Sequence, residues 1–190
     1  MGGARGEGSG GARHRVLFVC HGNICRSTMA QFVFEDLVRR AGREAEFVVD
    51  SAATSREEIG SPPHLGTVGR LRQAGVPVGR HRARQLRRDE YDDWDRIVYM
   101  DGENERGLRR ILGEDGSGRL LDPADKCVKL LVYVDDTAGL LPAPRSRSGR
   151  VRDVADPWYT GNFDDTYRDV VAGCRGLLAS LVGEAGSHGA

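Results

Sequence analysis

Apolar residues in this chain fall into two alternating rhythms. Val16-Leu17-Phe18-Val19 is an unbroken apolar run that stops at Cys20. Such a run, without alternation, predicts a strand covered on both faces, as in a parallel sheet. Behind it Ala30, Val33, Phe34, Leu37, Val38 and Ala41 recur at helical spacing, with Ser27 as the expected N-cap. Cys20 to Arg26 is therefore a strand-to-helix loop. The alternation then repeats. Strands are expected at Glu46 to Asp50, Asp95 to Met100 and Lys129 to Val134, and helices at His64 to Ala74 and Asn104 to Leu112, each stopped by a glycine. Tyr167, Val170, Val171, Cys174, Leu177, Leu178 and Leu181 form the clearest amphipathic stripe, and that last helix must close the core. Strands alternating with helices predict a three-layer α/β/α fold around four parallel strands.

The stretches between these elements set the boundaries. Residues 1–13 are glycine-rich and polar and are expected to be a flexible tail. One domain of about 170 residues is expected over 14–184, with a long Pro-, Ser-, Gly- and Arg-rich loop at about 135–155 and a disordered stretch at 185–190. Ser51 to Pro63 is a second loop, and it crosses the carboxyl end of the sheet, where open α/β sheets keep their sites. With 28 basic and 28 acidic residues in 190, no global field argues for nucleic acid or an anionic membrane. Neither a signal peptide nor an apolar run of membrane length is present, and the four cysteines lack the spacing of a disulfide scaffold. A reducing cytoplasm fits that composition. Arg145, Arg147, Arg150, Arg152 and Arg168 could form a basic rim beside the residues that follow the long loop.

A strand-to-helix loop aims backbone N–H groups and the positive end of the helix dipole at one spot, which makes an anion site. A cysteine facing that spot is expected to be a thiolate near neutral pH and a strong nucleophile. Arg26 adds a planar fork able to hold two oxygens of a tetrahedral oxyanion. Gly22 and Asn23 are both expected to supply the positive φ of a tight concave loop. The combination points to phosphoryl transfer to sulfur. A zinc site on Cys20 and Cys25 would need two more ligands, and Cys127, Cys174 and the five histidines are scattered.

Val19-Cys20-His21-Gly22-Asn23-Ile24-Cys25-Arg26-Ser27 resembles the phosphate loop of the low-molecular-weight protein tyrosine phosphatases, and Asp156-Pro157-Trp158-Tyr159 resembles their general-acid loop. The resemblance continues through Asp50 to Ser55, Glu58 to Pro63, His81 to Gln85 and Tyr99 to Asp101, and so covers most of residues 15 to 183. It implies a flavodoxin-like strand order 2-1-3-4 and an enzyme without metal or other cofactor that acts on phosphotyrosine in a protein or peptide; the sequence leaves the oligomeric state open, with a monomer as the expectation. It further implies Cys20 as nucleophile, Arg26 as phosphate clamp and Asp156 as general acid and base, with His21, Gly22, Asn23, Ile24, Cys25 and Ser27 completing the phosphate loop. Ser51 and His81 match positions that brace this loop, and Glu57, Trp158 and Tyr159 match the substrate rim. Cys25 matches a residue able to capture an oxidised Cys20 as a disulfide, or it is simply a small residue lining the loop.

Three positions depart from the family pattern: His21 stands where an apolar residue is common, Thr28 where proline is common, and Glu57 where the rim is often aromatic. Ile24 favours a tyrosine phosphatase over the protein-arginine phosphatases, which typically carry threonine there. An arsenate reductase would need relay cysteines, and Cys127 and Cys174 are poorly placed for that. A silent phosphate-binding adaptor, docked through the Arg-rich loop, is the alternative from another class.

Overall fold

The computed structural model describes residues 14–134 and 151–187. Four strands, β1 (His14–Cys20), β2 (Phe47–Ala53), β3 (Arg96–Tyr99) and β4 (Cys127–Lys129), form one sheet in the order β2-β1-β3-β4. All three pairings are parallel. Five α-helices accompany them: α1 (Arg26–Arg40), α2 (Leu65–Gln73), α3 (Gly102–Leu112), the single turn α4 (Pro157–Thr160) and α5 (Phe163–Ser187). None of these helices is long and apolar enough to cross a membrane.

Alternate residues of β1 point to opposite faces of the sheet. Val16, Phe18 and Cys20 enter a core with Met29, Val33 and Phe34 of α1 and Val170, Cys174 and Leu177 of α5. Leu17 and Val19 enter a second core with Leu108 and Leu112 of α3 and with Leu86 and Trp94. The strand is thus covered on both faces, as its unbroken apolar run requires. Because β1 pairs with β2 on one side and β3 on the other, its carboxyl end is the switch point of the sheet, where loops diverge and leave a crevice. Cys20 is the last residue of β1 and sits there.

The fourth strand is shorter than its apolar run suggests. Only Cys127–Lys129 pairs with β3, and Leu130–Tyr133 turns into a 3-10 helix. A strand would send Leu130 and Leu131 to opposite faces. Here both are buried, at 0 % and 2 % exposure, in the same core. The turn is possible because α5 carries glycines where the two backbones meet: a Cβ on Gly173 would lie 2.5 Å from Leu130 Cγ, and one on Gly176 would lie 1.8 Å from the Tyr133 carbonyl oxygen.

Helix α5 also runs beyond the boundary expected at residue 184, to Ser187. Residues 1–13 and most of the long loop, including Arg145, Arg147 and Arg150, lie outside the described residues.

Gly176→Ala, with its methyl overlapping a backbone carbonyl, should lower stability by roughly 2–4 kcal/mol in urea unfolding. Gly183→Ala on the same helix, where a Cβ meets nothing within 4 Å, should instead raise it by about 0.5–1 kcal/mol. Equal effects at the two sites would refute the close approach of the 3-10 turn to α5.

Candidate active site

The loop between β1 and α1 is shaped around Asn23, which adopts a left-handed φ of 58°. Asparagine tolerates that conformation, and every polar group Asn23 has beyond its own N–H is used to keep it there. Its carbonyl accepts from Thr28 Oγ1 at 2.8 Å and from His81 Nε2 at 3.1 Å. Its side-chain oxygen accepts from the Arg84 amide at 3.2 Å, and its Nδ2 donates to Ser27 Oγ at 3.0 Å and Ser51 Oγ at 2.8 Å. The chain of donors is directional. Since Asn23 donates to Ser51, the Ser51 hydroxyl proton goes to Gln31 Oε1 at 2.6 Å, and Gln31 Nε2 donates in turn to Glu35 at 2.9 Å. Burial raises the Glu35 pKa and lowers that of His81, so near neutral pH His81 carries its one ring proton on Nε2, facing the Asn23 carbonyl.

The remaining donor, the Asn23 backbone N–H, points at Cys20 Sγ at 3.3 Å. Ser27 Oγ lies 3.1 Å from the same sulfur. Because Ser27 already accepts from Asn23, its hydroxyl proton is free to be donated to the sulfur. Two expectations are corrected here. Ser27 does not cap α1: the helix begins at Arg26 with Cys25 at the N-cap and no side-chain cap, because the Ser27 hydroxyl is turned into the buried loop. Gly22 is also not among the positive-φ residues. Its constraint is space, since a Cβ there would come 3.2 Å from Glu58 Cγ.

Arg26 is 3 % exposed, with its guanidinium between two carboxylates. Nη1 bonds Asp101, and Nη2 lies 2.5 Å from Asp156 Oδ2. Burial opposes this charge, yet Cys20, Asp101 and Asp156 outweigh it and push the pKa above the ordinary arginine value. Asp101 is fixed in turn, capping α3 by accepting the Asn104 N–H at 2.7 Å. Asp156 caps α4 by accepting the Trp158 N–H at 3.0 Å, with Pro157 buried behind it. Cys25 is 5 % exposed, and burial first, then the charges of Cys20 and Asp156, push its thiol up to about 12.

These groups enclose a pocket of about 140 Å³ lined by Cys20, His21, Gly22, Ile24, Cys25, Arg26, Glu57, Glu58, Asp156, Trp158 and Tyr159. Trp158 and Tyr159 are 60 % and 85 % exposed at its mouth. Across from them His21 Nε2 meets Glu57 Oε2 at 3.1 Å. The loop carrying Glu57 is stitched to the floor by Thr54 N–H to the Cys20 carbonyl at 2.8 Å and Ser55 N–H to the His21 carbonyl at 3.0 Å. Every residue expected at the site is thus in it, either lining the pocket or, for Asn23, Ser27, Ser51 and His81, bracing it from below. Arg152 and Arg168, the described part of the expected basic rim, are paired with Asp169 and Asp165. Among the described residues no three His, Cys, Asp or Glu side chains converge as a metal site would require.

Asp101, Arg84 and Gln31 are functional neighbours of the site to which the sequence pattern assigns no role. Asp101 was findable: an Asp between a strand and a helix is a natural N-cap, and here that cap sits at the carboxyl end of the strand beside β1. For Arg84 no local signal exists. Its bonds to Asp50 and Glu90 as well as to Asn23 join segments far apart in the chain.

Residues 15–186 match the family model described as low molecular weight phosphotyrosine protein phosphatase. The chain is 39% identical over 166 residues to the low molecular weight protein-tyrosine-phosphatase YfkJ of Bacillus subtilis, covering 87% of this chain and 94% of that one. The YfkJ crystal structure superposes with a TM-score of 0.76 over 92% of this chain and 98% of its own. The human low molecular weight phosphotyrosine protein phosphatase is 33% identical over 169 residues, 88% of this chain and 95% of the human one. A crystal structure of DARP, a Drosophila arginine phosphatase, aligns with a TM-score of 0.68 at 25% identity, covering 87% of this chain and 96% of that one. With a matching sheet order, a cysteine at the switch point and relatives spanning nearly its whole described length, the chain belongs to the low molecular weight phosphotyrosine protein phosphatases and is a protein tyrosine phosphatase.

Proposed function

We propose that this phosphatase hydrolyses phosphotyrosine in proteins through a phosphocysteine on Cys20. The observation that carries the reading is the shared pocket: Cys20 Sγ at the floor, Asp156 at the wall, and the Arg26 guanidinium between them. The Cys20 thiolate attacks phosphorus while the bond from phosphorus to the aryl oxygen breaks, and Asp156 protonates that oxygen as it leaves. In the second half Asp156 takes a proton from the attacking water, and the sulfur departs as a thiolate received by the Asn23 N–H and the Ser27 hydroxyl. Arg26 is shared between Asp101 and Asp156. A protonated Asp156 gives up that ion pair, so the act that readies the acid also frees Nη2 for a phosphoryl oxygen, while Asp101 keeps the guanidinium in place.

Three other aspartates flank the same segment, and each is engaged elsewhere: Asp153 with Lys129 at 2.7 Å, Asp164 with Arg70 at 2.6 Å and Asp165 with Arg168 at 2.5 Å. Ile24, in the pocket wall, offers an apolar surface suited to a phenyl ring more than to the guanidinium of a phosphoarginine. Cys25 is the proposed redox partner. After a peroxide oxidises Cys20 to a sulfenic acid, the Cys25 thiol condenses with it, releasing water and forming a disulfide. Its high pKa makes that capture slow at neutral pH. The proposed setting is a cytoplasmic monomer acting on phosphoprotein, with neither nucleic acid nor membrane as partner.

Cys20→Ser should bind phosphate yet lose turnover of a phosphotyrosine peptide, since its hydroxyl stays protonated. Turnover above a trace would remove the covalent route, and faster parental turnover of a phosphoarginine peptide would overturn the substrate assignment.

Asp156→Ala should slow an unactivated phenyl phosphate by roughly 10²–10⁴ and a nitrophenyl phosphate much less, because a proton donor matters most for a basic leaving oxygen. Asp153, Asp164 and Asp165, changed likewise, should leave that dependence flat. A steep dependence at any of these three, absent at Asp156, reassigns the acid.

A further inference from the structure

Asp156 reaches the pocket from a segment with an uneven set of anchors. On its amino-terminal side, Ala155 is held by Asp169 through its N–H at 3.2 Å and by Thr166 Oγ1 through its carbonyl at 2.8 Å. At the pocket itself the link is the ion pair of Asp156 with Arg26. In the proposed reaction that pair opens when a phosphoryl oxygen takes its place on the guanidinium. Something else must then keep the acid aimed, because misplacing a reacting group by about an ångström can cost on the order of 10²-fold in rate.

Beyond that ion pair, His64 reaches the phosphate loop with its backbone and the acid segment with its ring. His64 donates its backbone N–H to the carbonyl of Ile24, in the phosphate loop, at 2.9 Å. Its Nδ1 accepts the Gly66 N–H at 3.1 Å, capping α2. Its ring then does two things. It stacks on Phe163 at the start of α5, with centroids 5.2 Å apart and planes 12° from parallel, and it presents an edge-on contact to Trp158 at 6.1 Å and 78°. Phe163 also packs on the small cluster of Ile24, Cys25 and Ala83. Gly66 keeps this space open, since a Cβ there would lie 2.3 Å from the Phe163 ring.

We propose that His64 is a positioning residue for the general acid: its backbone is fixed to the phosphate loop and its ring holds Trp158, so the distance from nucleophile to acid is set through one side chain. This rests on the reading of Asp156 as the acid. His64 thus has two separable roles. The cap belongs to Nδ1 and supports α2, whereas the aim of the acid belongs to the ring.

Two substitutions divide those roles. His64→Asn keeps a capping acceptor and the backbone bond but removes the ring, and His64→Phe keeps the ring but removes the acceptor. The measurement is kcat for phenyl phosphate against nitrophenyl phosphate, alongside Tm. His64→Asn should shift the ratio by about tenfold against the poor leaving group with Tm near the parent's, and His64→Phe should lower Tm while holding the ratio near the parent's. Adding Asp156→Ala to His64→Asn should produce no further change in the ratio beyond Asp156→Ala alone, because the two act through one proton. A flat ratio in His64→Asn beside a steep one in Asp156→Ala overturns this inference and leaves the acid assigned. A flat ratio in both overturns the acid assignment and this inference with it, and ratios that merely follow Tm in the two His64 variants reduce the residue to a helix cap.

Discussion

Burying a guanidinium at the mouth of a sheet is unfavourable by several kcal/mol unless its charge is matched and its donors are filled, and the site is arranged around meeting that requirement for Arg26. Asp101 supplies a permanent match, because it is locked as the N-cap of α3 by the Asn104 amide. Asp156 supplies a removable one, because it sits on a single turn of helix outside the sheet. The two carboxylates thus differ in anchorage more than in chemistry, since Asp101 caps an 11-residue helix and Asp156 a 4-residue turn. One keeps the fork in register with the Cys20 loop, and the other is the partner that, in the proposed reaction, yields its place to a phosphoryl oxygen.

Beneath the guanidinium the constraint passes to Asn23. A left-handed non-glycine residue is tolerated only where its surroundings over-determine it. The Asn23 side chain and carbonyl meet Ser27, Ser51, Thr28, His81 and the Arg84 amide, drawn from α1, β2 and the segment beyond α2. With that geometry fixed, the one Asn23 donor left over faces sulfur. Cys20 Sγ thus faces donors that the fold has already fixed in place, the arrangement in which electrostatic stabilisation is most effective.

How much of this the sequence discloses depends on whether a feature is local. The apolar run before Cys20, the helical spacing behind it and the stripe of α5 each report their own element, and all three elements are present. The Asp-Pro-aromatic segment was legible as a unit because its four residues are adjacent, and they stand together at the pocket, three lining it and Pro157 behind them. Ser27 misled because a serine before a helical stripe is a good cap by local rules, and only the buried Asn23 side chain, donating across the loop, draws its hydroxyl away. Leu130 and Leu131 misled for a related reason. An apolar run specifies burial, and the choice between a strand and a 3-10 turn was made by two glycines more than forty residues later in the chain. Arg84 and His64 act through partners that only the folded chain brings near, and Asp101, legible as a helix cap, gives no local sign of its bond to Arg26.

The pocket mouth shows the same division between fixed and yielding parts. One side is apolar, with Trp158 and Tyr159 exposed and Ile24 deeper in, and the other is the His21–Glu57 pair, with side chains 50% and 72% exposed. A polar contact so open to water contributes about 0–1 kcal/mol, too little to hold the mouth closed against an aromatic ring whose burial is worth more. A phenyl group entering along the apolar side can therefore displace the pair without disturbing Asn23, Arg26 or Asp101. Where the family rim is often aromatic on this side too, Glu57 leaves the ring one apolar wall, and its orientation then depends on Trp158, the residue in contact with His64.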